Sequence, residues 1–412
     1  MRRRRSPDHR GRTLVDRCRA GRAARPRVTA MRDHQVVVIG AGPSGVAAAL
    51  SLRDRGLRPV LIDRADHVGS SWKARYDRLK LNTGRRTSHM PNRPFPDGTG
   101  VFPTRDQVVA HLDRHAHEDG IELLLETTVT RIDRHPAGWC LSTSTGDLTA
   151  RQVVVATGYE HSPRIPEWPG MRSYPGEVSH SAQYRNPRPY TGRRVLVVGA
   201  GSSAMEIVHD VATGGAESAW LAVRTVPHIM IRSLPGGFPS DYLATPLFDA
   251  PTWLADAVSR VGQRIDVGDL AEYGLPTPSE GVFARGKRLG RAPVIVDREV
   301  VRAIRARVFE VVPTIARFDG ATVELVDGRR LQPDAVICAT GYTRGLDAMV
   351  GHLGVLDDKG LPRSCGVAAA APGLRFVGFL SRPGLISYVA KQSQHVARHI
   401  ADELDRTPTL IR

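Results

Sequence analysis

Residues 35–52 read QVVVIGAGPSGVAAALSL, and no other stretch of the chain indicates a fold as strongly. After the leading glutamine comes a continuous β-branched apolar run, which is typical of a buried parallel strand. The glycine loop at residues 40–45 follows, and the alanine-rich segment after it predicts a helix. In such a unit Gly40 permits the tight turn, Gly42 lets the backbone approach a pyrophosphate and Gly45 allows close helix packing. The helix N-terminus would face the phosphates, so the sequence predicts a dinucleotide site.

An acidic residue stands where this type of site binds a ribose. A second apolar strand is predicted at residues 59–62, and it ends at Asp63. A carboxylate there can accept hydrogen bonds from the ribose hydroxyls and would repel a 2′-phosphate. The first site therefore favours FAD or NAD.

The same pattern returns at residues 194–213, which read RVLVVGAGSSAMEIVHDVAT. Ala204 takes the place of the third glycine, a replacement that the fingerprint allows. The next predicted strand, 219–223, ends in Arg224, whose planar fork of donors suits a 2′-phosphate. The alternative for Arg224 is an ordinary surface arginine after a strand. This second site predicts NADPH, and two unlike nucleotide sites in one chain indicate a redox enzyme that passes hydride between cofactors.

The charge of the chain does not require a nucleic-acid partner. The 412 residues carry a formal net charge of +16, but residues 1–30 contain eleven arginines against two aspartates. That segment lacks apolar periodicity and is predicted to be a disordered basic tail. The rest of the chain carries only +7. We therefore predict no nucleic-acid and no membrane partner, although a basic arm that binds nucleic acid is an alternative for the tail.

Cysteine usage and hydropathy point to a protein of the cytoplasm. The four cysteines lie far apart, without the spacing of a dithiol or zinc site, which fits a reducing compartment. No apolar run approaches the roughly 18 residues that span a bilayer. The predicted localisation is cytoplasmic, and no metal site is predicted.

The order of the segments predicts an α/β fold with two Rossmann-like dinucleotide-binding domains, the NADPH domain being inserted into a discontinuous FAD domain. A buried strand with a glycine turn at residues 153–159 has a second copy at residues 335–342, which is interpreted as the return to the flavin domain. The predicted parts, in chain order, are a tail at 1–30, the first FAD part at 31–164, the NADPH domain at 165–330 with a substrate-region insertion at 233–291, and the second FAD part at 331–412.

Between the two fingerprints stands the segment YPGEVSHSAQY, residues 174–184. It resembles the FxGxxxHxxxY signature of the flavin-containing monooxygenases, which are class B flavoprotein monooxygenases, with Tyr174 in place of Phe. The two fingerprints, this signature and the second ATGY strand follow one another as in that family, over about residues 33–402. Segments such as Asp77–Leu81 and Tyr273–Pro276 are similar to the auxin-forming indole-3-pyruvate monooxygenases of plants and their bacterial relatives.

The resemblance implies roles for individual residues. Asn82 matches a residue that hydrogen-bonds near the flavin and the NADP ribose, and it is the catalytic candidate; the alternative is a turn residue before Gly84. Trp72 would pack beside the flavin-binding segment. His180 is interpreted as a residue that orients the cofactor loop rather than as a general base. The full set of candidate cofactor-binding residues is Gly40, Gly42, Pro43, Ser44, Gly45, Asp63, Arg64, Trp72, Asn82, Thr83, Val129, His180, Gly199, Gly201, Ser202, Ser203, Ala204, Arg224 and Gly341.

The resemblance also implies the activity. NADPH would reduce FAD, and a flavin C4a-(hydro)peroxide would insert one atom of O2 into a small organic substrate, by N- or S-oxygenation or by oxidative decarboxylation of a 2-oxo acid such as indole-3-pyruvate. A Baeyer–Villiger monooxygenase and an NADPH:acceptor flavin oxidoreductase without oxygen insertion are the alternatives, and a redox-sensing flavoprotein that binds nucleic acid is a third. The expected partners are the substrate and O2, with a homodimer as one possible assembly.

Overall fold

The computed structural model describes residues 32–406 except 291, 381 and 383. The predicted basic tail at 1–30 lies outside these residues. The strands are, in chain order, β1 Arg32–Ile39, β2 Pro59–Ile62, β3 Glu122–Leu124, β4 Val129–His135, β5 Gly138–Thr143, β6 Leu148–Val155, β7 Ser162–Pro163, β8 Glu177–His180, β9 Arg194–Val198, β10 Ser218–Val223, β11 Ile229–Ile231, β12 Val294–Val296, β13 Glu310–Pro313, β14 Ile315–Asp319, β15 Thr322–Leu325, β16 Arg330–Leu331, β17 Ala335–Cys338, β18 Tyr342–Thr343 and β19 Leu374–Phe376. The α-helices are α1 Pro43–Arg53, α2 Ser70–Lys73, α3 Arg105–Glu118, α4 Ser202–Thr213, α5 Asp241–Asp249, α6 Thr252–Asp266, α7 Val282–Leu289, α8 Arg298–Arg305, α9 Asp347–Val350 and α10 Leu385–Arg406.

The first sheet has the strand order β3-β2-β1-β6-β5-β4, and β19 also pairs with β6. Strands β1, β2, β3, β6 and β19 run parallel to one another, whereas β5 and β4 are added antiparallel. Residues Val36 to Ile39 are almost fully buried, as expected for a central parallel strand covered on both faces. The order of the strands reverses beside β1, so the first glycine loop lies at the crevice where such sheets bind ligands.

Helix α1 is covered on nearly all sides. It starts at Pro43, where the missing N–H costs nothing, and every residue from Gly45 to Leu52 is buried. Helix α10 packs against it and buries Val389, Val396 and Ile400 in the same apolar core. This C-terminal helix serves as one wall of the flavin half.

The second sheet is entirely parallel, with the order β13-β10-β9-β17-β8. Strand β17 pairs with β9 in register Val336 to Leu196, so this sheet continues to Cys338. The prediction that this second copy returns the chain to the flavin domain is wrong, and the predicted boundary at residue 330 comes too early. The copy is the neighbour of β9, as β6 is the neighbour of β1, which is why the two segments look alike.

The chain crosses between the sheets twice, and the two crossings contact each other. Strand β7 lies in the first crossing, between β6 and β8, and β18 lies in the second, between β17 and β19. The two strands pair antiparallel with Tyr342 opposite Pro163. A buried polar group joins the halves elsewhere: the Tyr76 hydroxyl donates to Glu206 of α4 at 2.5 Å, and the Arg232 guanidinium pairs with the other oxygen of that carboxylate. These contacts join the two halves at two separate places.

Candidate functional site

The first glycine loop has the geometry of a phosphate cradle. Gly40 has φ +105°, and a Cβ there would lie 2.8 Å from the carbonyl oxygen of Ala156. A Cβ on Gly45 would meet the Gly40 oxygen at 1.6 Å, so only glycine allows α1 to pack this close. Gly42, at the start of α1, has nothing within 4 Å of its missing Cβ. This open space beside the helix N-terminus fits a pyrophosphate group.

The second loop repeats that geometry. Gly199 has φ +146°, and a Cβ there would lie 2.4 Å from the Ala339 oxygen, while Gly201 again faces open space. Ala204 is fully buried in the position of the third glycine. The Ser202 hydroxyl accepts a hydrogen bond from the Ile295 N–H at 2.9 Å, which leaves its own proton free for a phosphate oxygen. The neighbouring Ser203 is half-buried.

The two predicted sugar contacts differ in their surroundings. Asp63 is held by backbone donors, since its two oxygens accept from Ala41 at 2.6 Å and from Ala65 at 2.9 Å. Each oxygen keeps a further lone pair for a ribose hydroxyl. Arg224 follows directly after β10 and is exposed, and its guanidinium has no hydrogen-bond partner among the described residues. The carboxylate is thus preset, whereas the guanidinium is available to a ligand.

Two further candidates lie near Asp63. The backbone carbonyl of Asp63 accepts from Thr127 at 2.9 Å, which brings the start of β4, and with it the buried Val129, to this end of the sheet. Arg64 is exposed and donates to the backbone oxygen of His161 at 3.3 Å. Both positions are compatible with contacts to the adenosine end of a dinucleotide.

Asn82 carries an amide oxygen that is buried and has no partner among the described residues. The backbone around it is fixed, because Leu81 N–H donates to Pro103 at 2.9 Å and Arg85 N–H donates to Val101 at 2.9 Å. The Thr83 hydroxyl is paired with Ser88 at 2.6 Å. A buried polar atom without a partner is costly unless a ligand supplies one, so this oxygen fits a contact to a cofactor. Trp72 is half-buried and packs against the apolar core of the flavin half.

His180 is committed to backbone contacts. Its Nδ1 accepts from the Ala182 N–H at 3.1 Å, and its Nε2 lies 3.0 Å from the Gly341 oxygen, to which it donates. Burial lowers its pKa, so the ring is neutral with the proton on Nε2. With both nitrogens hydrogen-bonded, His180 connects the end of β8 to the Gly341 turn.

Three residues that the structure places here were not predicted from the sequence. Thr157, just after β6, has a buried hydroxyl without a partner in the described part of the chain. Gly378 approaches Ser44 so closely that a Cβ would lie 2.2 Å from its hydroxyl oxygen. Asp241 of α5 contacts the Asn82 segment through Gly84. The repeated ATG triplet marks the first of these residues, whereas the others carry no local signal.

Residues 37–227 match the family model of the pyridine nucleotide-disulphide oxidoreductases. The disulphide chemistry in that name finds no support here. Within the described residues the cysteines are unpaired, and burial raises the pKa of Cys338 to about 12 and that of Cys140 and Cys365 above the usual range. The same residues contain no group of three or more ligands that could hold a metal, and no helix among them is long and apolar enough to span a bilayer.

The chain is 33% identical over 381 residues to the probable indole-3-pyruvate monooxygenase YUCCA3 of Arabidopsis thaliana, covering 89% of this chain and 86% of that protein. It is also 33% identical over 397 residues to the indole-3-pyruvate monooxygenase YUCCA4 of Oryza sativa subsp. japonica, with 89% and 87% covered. Among solved structures, the flavin-containing monooxygenase of Stenotrophomonas maltophilia shares the fold, with a TM-score of 0.69 at 24% identity over 90% of this chain and 99% of that one.

The two sheets, each with its own glycine cradle, define a two-dinucleotide flavoprotein oxidoreductase. The similarity to curated monooxygenases over most of both chains narrows this class. The chain belongs to the flavin-containing monooxygenase family, and it is a flavin-dependent monooxygenase. The predicted fold class, family and enzyme type are confirmed, and so is the pair FAD and NADPH as the cofactors of the family.

Proposed function

We propose that this chain uses NADPH and FAD to insert one oxygen atom from O2 into a small organic substrate, and that a 2-oxo acid is the first substrate class to test. The opposite charges at the two cradles support this proposal most directly. Asp63 follows β2 in one sheet, whereas the exposed Arg224 follows β10 in the other. A carboxylate suits an unphosphorylated ribose and a guanidinium suits a 2′-phosphate, so FAD is assigned to the first cradle and NADPH to the second.

The residues of the chain bind, orient and shield the cofactors. FAD, reduced by NADPH, supplies the activation of O2. The first N–H groups of α1 and α4 bind the two pyrophosphates, next to Gly42 and Gly201. The buried amide oxygen of Asn82, which has no partner among the described residues, supports a contact between this amide and the reacting end of the flavin. Exclusion of water there would favour oxygen transfer over release of hydrogen peroxide. No protein nucleophile is needed for this chemistry.

The 2-oxo acid class rests on the relatives, whose names specify indole-3-pyruvate. A 2-oxo acid, O2, NADPH and a proton would give the carboxylic acid with one carbon less, CO2, NADP⁺ and water. N- or S-oxygenation of an amine or sulfide is the second candidate. It is favoured by the Leu81-Asn82-Thr83 segment, which looks more like that of the heteroatom-oxidising members of the family.

The test is product analysis in ¹⁸O2 with indole-3-pyruvate, an amine, a sulfide and a cyclic ketone, together with the ratio of peroxide released to NADPH consumed. One labelled oxygen in indole-3-acetate is the expected result. Labelled ester from the ketone would establish the Baeyer–Villiger alternative. NADPH oxidation with an electron acceptor but unlabelled product from every substrate would establish the reductase alternative and refute the proposal.

Asn82→Ala adds a test of the site itself. We expect more peroxide per NADPH at a nearly unchanged rate of flavin reduction, because the variant removes an amide beside the flavin but neither cradle. An unchanged ratio of peroxide released to NADPH consumed in this variant would mean that Asn82 is only a turn residue.

A further inference from the structure

A buried carboxylate connects the insertion to the segment that carries Asn82. Asp241, the first residue of α5, is only 2% exposed. One of its oxygens accepts from the Gly84 N–H at 3.0 Å, and the other receives the hydroxyl of Thr87. The partners are 157 positions apart in the chain. The contact therefore joins two segments that folding alone brings together.

The next residue, Tyr242, packs against Gly84 from another direction. A Cβ on Gly84 would meet the Tyr242 hydroxyl at 2.8 Å and Pro239 Cγ at 3.0 Å. Gly84 thus lies against the insertion with no room for a side chain. Any displacement of the start of α5 moves Gly84, which is two residues from Asn82.

The remaining contacts of this segment come from the flavin half. Leu81 and Arg85 bond to the backbone of residues 101–103, and Thr83 bonds to Ser88. Among the described hydrogen bonds to the backbone of residues 81–85, the one from Gly84 to Asp241 comes from the insertion. The backbone that carries the Asn82 amide is therefore held by hydrogen bonds from the flavin half and from the insertion.

Burying a carboxylate at this position costs free energy, because the charge loses its contact with water. Burial raises the pKa of Asp241, and the hydrogen bonds from Thr87 and Gly84 offset only part of this effect. No salt bridge to Asp241 occurs within the described part of the chain, so the acid is held by neutral donors. An apolar residue would remove that cost but leave the Gly84 N–H without an acceptor.

We propose that Asp241 is a positioning residue: through the Gly84 N–H it sets the Asn82 amide, and so couples the substrate-region insertion to the retention of activated oxygen. The link to oxygen rests on the function proposed above, whereas the link between Asp241 and the Gly84 amide does not. The two links can be tested separately in the same protein.

The variants are Asp241→Ala, which removes both acceptors, and Asp241→Asn, which can keep both contacts. In the second variant the amide oxygen accepts from Gly84 and the amide nitrogen donates to Thr87, whose hydroxyl then turns to the Gly84 carbonyl, 3.0 Å away. Asp249→Ala is the matched control, since this carboxylate on the last turn of the same helix is exposed and pairs with Arg382 at 3.2 Å.

The first measurement is hydrogen exchange of the Gly84 amide in the FAD-loaded protein, and the second is the FAD dissociation constant. In Asp241→Ala we expect exchange at Gly84 to rise at least about tenfold, with FAD affinity within about twofold of the parent. Asp241→Asn and Asp249→Ala should keep the parental exchange rate. Unchanged exchange in Asp241→Ala would overturn the positioning role, whatever the enzyme proves to catalyse.

The third measurement is peroxide released per NADPH. A rise in Asp241→Ala, with recovery in Asp241→Asn and parental flavin reduction in both, supports the coupling to oxygen. Faster Gly84 exchange with unchanged peroxide release would reduce Asp241 to a structural residue and overturn the proposal. If Asp241→Ala does not fold, Thr87→Val is the substitute, because it removes one of the two hydrogen bonds to Asp241. Gly84 exchange and peroxide release should then rise as in Asp241→Ala, but by less.

Discussion

The roles of the two glycine cradles can be tested separately, by a variant of each that adds one methyl group. Gly42 and Gly201 have φ, ψ of −83°, −175° and −86°, 174°, which alanine adopts without strain. A Cβ at either position meets no protein atom within 4 Å. Gly42→Ala and Gly201→Ala should therefore fold, and each methyl would occupy space that the corresponding pyrophosphate needs.

The size of the effect follows from opposing contributions. Inserting a methyl into a filled contact costs about 1–3 kcal/mol, which weakens binding by roughly 5- to 150-fold. Replacing glycine with alanine at a permitted conformation stabilises the ligand-free fold by about 0.4–1 kcal/mol through the unfolded state. Gly42→Ala should thus weaken FAD binding. The free energy of unfolding of the FAD-free protein should stay unchanged or rise slightly.

The assay is a titration with FAD, followed by steady-state and single-turnover reduction with NADPH. We expect Gly42→Ala to lose FAD affinity, and Gly201→Ala to keep FAD while the NADPH concentration for half-maximal reduction rises. Gly45→Ala is the contrasting variant, because its Cβ would lie 1.6 Å from the Gly40 oxygen and should prevent folding of the loop. Parental FAD affinity in Gly42→Ala, or NADPH reduction unaffected in Gly201→Ala, would refute the placement of the two cofactors.

Three further predictions concern single side chains. Arg224→Ala should raise the Michaelis constant for NADPH by about 10- to 150-fold and that for NADH little, since a charged hydrogen bond contributes about 1.5–3 kcal/mol. Replacement of the exposed Arg302 by alanine is the control, and equal effects on both nucleotides would exclude Arg224 as the phosphate contact. Tyr76→Phe should lower the free energy of unfolding by about 1–3 kcal/mol in a urea titration, because Glu206 would lose a buried donor. The Arg194 side chain lowers the pKa of Asp334 to about 2. This pair therefore stabilises the fold above the unfolded-state pKa of about 3.9, and the stabilisation is lost as pH falls toward 2. In Asp334→Asn the free energy of unfolding should depend less on pH between these two values, and an unchanged pH dependence would contradict this prediction.

The sequence was most informative where the chemistry is local. Gly40 to Gly45, Asp63 and Arg224 each follow an apolar strand directly, so strand, turn and functional residue can be predicted from one short window. The placement of β17 could not be predicted in this way. Its composition matches that of β6, and only pairing with β9 shows which sheet it joins.

Contacts between distant segments were also beyond prediction. Asp241 lies in an insertion without recognisable pattern, and its partner Gly84 is 157 positions away. Nothing near either residue indicates that a buried acid joins them. The orphaned oxygen of Asn82 is similar, because its burial depends on how the whole segment packs.

The apolar surface of α1 has a consequence for synthesis of the protein. Helix α1 emerges early from the ribosome, but α10, which covers one of its faces, ends at residue 406. Strand β6 likewise receives β19 only after residues 374–376 have been made. The nascent flavin half must wait with an open sheet edge and an uncovered helix while the entire nicotinamide half is translated. Apolar surface and strand edges exposed in this way are prone to aggregation, so the order of the elements makes the nascent flavin half a candidate for binding by chaperones.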